Sequence, residues 1–171
     1  MKRLGLILLV TSSLMMSGCT RTARLYPVQG PLSNQTPAQV FFAKISGGSF
    51  GLGNPAAIYP GNISVILSGG EIAKGHWAQV AAVTVPKGAA PASVPPTAGD
   101  MSSVWDTVYG QGYFVAHVLG TQYYYRAAAS GNHGTVLDLE MYWDTGESNA
   151  HYSIIKGVAR DNKGNIYKVV L

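Results

Sequence analysis

The sequence predicts a mostly β fold, an antiparallel sandwich or small barrel of about seven or eight strands with one short helix. Three observations predict it. Gly and Pro are abundant, 21 and 9 of 171 residues, which suits short strands and frequent turns. Residues 135–143 carry the cleanest alternation in the chain, Leu137, Leu139, Met141 and Trp143 against Val136, Asp138, Glu140 and Tyr142, the period-two pattern of a half-buried strand. Finally, strand-like runs follow one another across short turn signals, and such neighbours pair antiparallel. There is no strand–helix alternation and no Gly-rich phosphate loop, which argues against a doubly wound nucleotide fold.

Residues 1–18 read as an export signal. Lys2 and Arg3 form a positive start, and Leu4 to Met16 is apolar apart from Gly5, Thr11, Ser12 and Ser13. That stretch is short of the ~20 apolar residues that span a bilayer and fits a secretory h-region. It ends in Met16-Ser17-Gly18-Cys19. Small residues before a Cys at this point resemble the lipobox of bacterial lipoproteins, with Met16 where Leu is usual. The resemblance implies cleavage before Cys19, diacylation of its sulfur and acylation of its new amine. Cys19 is the single cysteine, so there is no intrachain disulfide framework and no Cys-rich zinc site. In Gram-negative lipoproteins an Asp after the Cys favours the inner membrane, so Thr20 points to the outer membrane, periplasmic face.

Residues 19–38, with Pro27, Pro31 and Pro37, read as the lipidated Cys and a tether, and 39–171 as one β-rich periplasmic domain. Strands are expected at Val40–Ile45, at Asn62–Ser68, and at Ile72–Val85 with a bulge at Gly75; Gly69-Gly70 makes the turn between the last two. Residues 48–60 read as a loop. Residues 86–100 (PKGAAPASVPPTAGD) read as a surface loop, or as a linker between two small lobes. Met101, Val104, Trp105 and Val108 share one helical face, with Asp100 as the N-cap. Tyr113–Leu119 and Gln122–Ser130 are expected to pair around Gly120-Thr121. Gly131–Gly134 is a turn, Thr135–Trp143 a strand, 144–150 a turn, Tyr152–Arg160 a strand, Asp161–Asn165 a tight turn and Ile166–Leu171 the last strand.

Composition narrows function. Cleavage takes Lys2 and Arg3 from 12 basic residues and leaves 10 against 8 acidic, so basicity gives no case for nucleic acid, and no Lys/Arg run reads phosphate backbones. Charged residues are 12% of the chain, about half the usual share. Ala23–Leu32, Val104–Gly110 and Ile155–Lys168 together resemble an uncharacterised family of Gram-negative lipoproteins. That resemblance covers most of the mature chain, implies lipoprotein status and carries no activity with it.

Candidate chemistry is sparse. His76, His117, His133 and His151 show no metal-ligand spacing, so no metal or cofactor is expected; His117 reads as a core or sheet residue, His133 and His151 as exposed. Asp138 and Glu140 point to one face of their strand and could serve acid/base hydrolysis with a histidine, or pair with Lys156 and Arg160 across strands. Ser49 lacks the strand-to-helix setting of a nucleophile elbow. Asp161–Asn165 lacks the closing Glu of a calcium loop and reads as a type I turn with a Gly bulge. Tyr123, Tyr125, Tyr142 and Trp143 form a candidate binding surface for an envelope protein or a glycan, or else fill the core. The reading preferred here is a lipid-anchored, non-catalytic binding or structural module, touching the membrane through its lipid. The alternatives are an envelope hydrolase using Asp138 or Glu140, and an inhibitor or partner-binding lipoprotein presenting residues 86–100.

Overall fold

A computed structural model describes residues 20–35, 39–47, 61–81, 101–119, 121, 123–144 and 154–171. They form a closed antiparallel barrel of eight strands with one α-helix on its outside. The strands are β1 (Thr20–Gln29), β2 (Phe41–Ser46), β3 (Gly61–Ile66), β4 (Ile72–Ala81), β5 (Tyr123–Gly131), β6 (Val136–Asp144), β7 (Ile154–Asp161) and β8 (Ile166–Val170). Each pairs with its neighbours in sequence, and β8 returns to β1 to close the wall. Of the two architectures expected, the barrel is the one formed.

Alternation does the sorting. In β2, Phe41, Ala43 and Ile45 are buried while Phe42 and Lys44 are exposed; in β3, Ile63 and Val65 are buried while Asn62 and Ile66 are exposed. An eight-stranded barrel has an interior just wide enough for side chains to fill. Large Trp77, Tyr125, Tyr167 and Phe41 share it with small Ala23, Ala43, Ala73 and Ala127. The fit is close: a Cβ on Gly61 would meet the Trp77 indole, whose Nε1 donates to the Ser46 carbonyl at 3.3 Å.

The tether expected at residues 19–38 is corrected. Thr20–Gln29 is β1, hydrogen-bonded to β2 on one side and β8 on the other, so residues 20–29 belong to the barrel and not to a tether ahead of a domain at 39. Ala23 and Leu25 face inward, fully buried. Pro27, which cannot donate to a ladder, sits where the β1–β8 register shifts. The bulge expected at Gly75 is absent, since Ile63, Gly75 and Ala129 stay in continuous register. Gly75 serves close approach instead: a Cβ there would meet the Ala128 carbonyl.

The expected strand at 113–119 is also corrected. Helix α1 (Ser102–Tyr109) ends at Gly110 (φ +107°), and Phe114–Val118 forms a π-helical turn. β5 pairs with β4 and β6, with no partner from 113–119. A short apolar run cannot be assigned to strand or helix by periodicity, and here packing decides. α1 is too short to persist alone. Met101, Val104 and Trp105 bury against Tyr124, Tyr142 and Val158 on the outer face of β5–β7, and Val118 of the turn joins them. Asp106 ties the two pieces together by accepting from the Phe114 N–H at 3.3 Å. Met101 holds the N-cap position without a side-chain bond; Asp100 lies outside the described residues, as do 48–60 and 86–100.

The barrel has unlike ends. At one, the short connections Ser68–Glu71, Gly131–Thr135 and Asp161–Asn165 close polar turns. At the other lie Thr20, where β1 begins, and the strand ends from which residues 48–60, 82–100 and 145–153 depart.

Candidate functional site

The paired carboxylates of β6 both face outward, as their spacing requires, and meet different fates. Asp138 lies opposite Arg160 and bridges to it at 3.4 Å. Glu140 is covered by α1 and fully buried. Its Oε1 takes the Arg126 guanidinium at 2.7 Å, and its Oε2 accepts from the Trp105 indole N–H at 2.8 Å. The cross-strand partner foreseen in Arg160 is present for Asp138. Lys156 instead bridges Asp144 at 2.6 Å, the contact that raises its pKa.

Of the candidate aromatic surface, Tyr125 is buried inside the barrel, edge-on to Trp77 at 5.7 Å. Tyr142 points outward, but the helix buries it. Neither ring offers a free face, which corrects the binding surface at those two positions. Tyr123 and Trp143 lie on β5 and β6, with side chains outside the described residues. Burial, then the 2.7 Å bond between the Tyr142 and Tyr113 hydroxyls, drives the Tyr142 pKa upward.

What the aromatics build is a column. Trp105, Tyr109, Tyr113 and His117 recur every four residues through α1 and the π-turn. Neighbouring rings stack with centroids 5.5, 4.7 and 4.4 Å apart. The Lys168 ammonium lies 5.3 Å from the Tyr109 ring centre. Burial pushes the Tyr109 phenol up to about 12. The column seals the helix to the wall and leaves His117 exposed at its end, which corrects the expected core setting of that histidine.

No family model, curated protein or solved structure gives a significant match to this chain.

The turn end holds a polar cluster that sequence reading missed. Glu71 is buried there. It accepts from the Thr135 hydroxyl at 2.6 Å, from the Thr135 and His133 N–H groups at 3.0 and 3.1 Å, and from Lys163 at 3.5 Å. The Thr135 hydroxyl bond, with the others, holds its carboxyl near 2. Asp161 is engaged likewise: Oδ1 accepts from the Lys163 and Asn165 N–H groups, and Oδ2 from Asn165 Nδ2 and the Tyr167 hydroxyl. The carboxylate of the DNKGN run thus organises its own turn, with Gly164 at φ +85°, as the turn reading expected. No signal in the sequence marks Glu71, which follows Gly70 like any turn residue.

The remaining histidines are dispersed. His76 is on the outer face of β4 and His133 in the β5–β6 turn, both exposed, while His151 lies outside the described residues. Among the described residues no three His, Cys, Asp or Glu side chains gather as metal ligands. Cys19 also lies outside them, one residue before β1.

Proposed function

We propose that this chain is a lipid-anchored cell-envelope barrel. Acylated Cys19 holds it at the periplasmic face of the outer membrane, and it works as a non-catalytic binding or structural module. The observation that carries the reading is the run from Lys2-Arg3 through the apolar stretch to Met16-Ser17-Gly18-Cys19, feeding without a spacer into β1 at Thr20. An acyl anchor at Cys19 would attach to the barrel wall itself. Three acyl chains exceed the two signals that suffice for stable attachment.

The carboxylates support the non-catalytic half of the reading. A hydrolase using Asp138 or Glu140 needs a carboxylate free to exchange protons beside a histidine. Both Glu140 oxygens are engaged by Arg126 and Trp105, and Asp138 bridges Arg160.

Globomycin treatment of expressing cells is expected to accumulate the unprocessed chain, and Cys19→Ser is expected to do the same and to abolish palmitate labelling. Processing and localisation of the Cys19→Ser chain like the wild type would overturn the anchor.

A further inference from the structure

The outer face of β1–β4 differs from the helix-covered half. Strand register sets three rungs across it. Arg24, Phe42, Ile66 and Ile72 lie side by side; then Thr22, Lys44, Ser64 and Lys74; then Thr20, Ser46, Asn62 and His76. Alternation with the buried Ala43, Ile45, Ile63, Val65 and Ala73 turns all three rungs outward. Phe42, Ile66 and Ile72 are 46%, 47% and 41% exposed. The face thus runs from an apolar rung bordered by Arg24, through a basic one, to a polar one, and its polar rung reaches the residue that follows Cys19.

Charge is segregated in the same way. The described carboxylates are Glu71, Asp106, Asp138, Glu140, Asp144 and Asp161, and none of them lies on β1–β4. Arg126, Lys156, Arg160 and Lys163 each bridge a carboxylate. Among the described residues, Arg24, Lys44 and Lys74 have no carboxylate within ion-pair reach. The two lysines flank Ser64 on adjacent strands, which puts their Cα atoms about 10 Å apart. With Thr20, Asn62, Ser64 and His76 they line an open concavity of about 640 Å³.

We propose that this face lies on the membrane and that the concavity takes the phosphate of an anionic phospholipid headgroup. The choice of a bilayer rests on the reading that Cys19 is acylated. Thr20 lines the concavity and is the next residue, so acyl chains on Cys19 enter the bilayer within about 4 Å of chain from it. Two ammonium groups about a hydroxyl match a phosphate, and the neighbouring apolar rung matches the headgroup–acyl boundary, the pairing that interfacial elements use. A basic side chain near an anionic leaflet adds about 1 kcal/mol, roughly a fivefold gain in partition.

The test uses unacylated residues 19–171, which contain all eight strands, in sedimentation with vesicles of phosphatidylcholine alone or with about 30% phosphatidylglycerol. Binding is expected only to the anionic vesicles, weakening as salt rises. The double variant Lys44→Gln/Lys74→Gln is expected to bind roughly 25-fold more weakly, and Lys44→Glu/Lys74→Glu to lose binding, both with wild-type circular dichroism. Equal binding to neutral vesicles, or unchanged binding by the folded double variants, overturns the proposal. So does a solution dimer that Phe42→Ser dissociates, which would assign the face to a second copy. The sedimentation measurement does not need the lipid on Cys19, so its failure is distinct from failure of the globomycin test.

Discussion

At the scale of single residues, Glu140 shows how a carboxylate is kept in an apolar seam. It lies under α1 with Arg126 on one oxygen and Trp105 on the other. Removing one partner of a buried pair leaves an uncompensated charge and costs ~3–5 kcal/mol. Glu140→Ala is therefore expected to lower stability by about that much in urea unfolding. Trp105→Phe keeps most of the ring and deletes one donor, for about 1–3 kcal/mol. Equal losses from both would mean that packing, and not the carboxylate, holds the helix down. Residue 140 was legible by parity alone: two positions from Asp138, it had to share that face. That a helix would cover one and leave the other at the margin was not legible, because Trp105 meets Glu140 only after 35 residues of intervening chain. Lys44 and Lys74 are hidden in the same way, thirty residues apart in sequence and joined by register through Ser64.

At the scale of elements, β1 and the π-turn carry the lesson. β6 was readable because bulky Leu137, Leu139 and Met141 mark every second position. In β1 only Ala23 and Leu25 mark the inner face, and Pro27 and Pro31 imitate a linker. The strand exists because two neighbours, β2 and β8, offer open edges for it to bridge. At 113–119 the apolar run had strand-like composition, and the rings of Tyr113 and His117 stacked on those of α1 instead. The placement of β1 makes a sharp prediction. In a tether, Leu25→Ala would change stability by no more than about 0.5 kcal/mol. As a fully buried residue of the wall, Leu25 is expected to cost ~2–5 kcal/mol on truncation to Ala, read as a lower urea midpoint with little change in slope. A midpoint indistinguishable from wild type would remove β1 from the barrel.

At the scale of the whole molecule, the turn end and the outer seam set a pH window. Glu71 is an acid whose folded pKa, near 2, lies below its ordinary 4.5. Its contribution is present above pH 4.5 and fades as pH falls toward 2. Tyr109 is raised from 10 to about 12, so its contribution is complete below pH 10 and fades as pH climbs to about 12. Tyr142 and Tyr167, raised by burial and by their hydroxyl partners, push the same way. Stability measured against pH is expected to plateau between these limits. Glu71→Gln should flatten the acid limb and Tyr109→Phe part of the alkaline one. An acid limb that survives Glu71→Gln unchanged would place its cause elsewhere.

The uneven sharing of charge around the wall has a further consequence. With Arg24, Lys44 and Lys74 on the outer face of β1–β4 and no described carboxylate within those four strands, the barrel carries an electric dipole across its axis. A dipole in the field of a charged surface experiences a torque before any contact forms. The molecule would turn its β1–β4 side toward an anionic surface while still diffusing, over the roughly 8 Å that physiological salt leaves unscreened. Orientation would then precede docking, and the encounter rate would fall with ionic strength even where the final contacts are apolar.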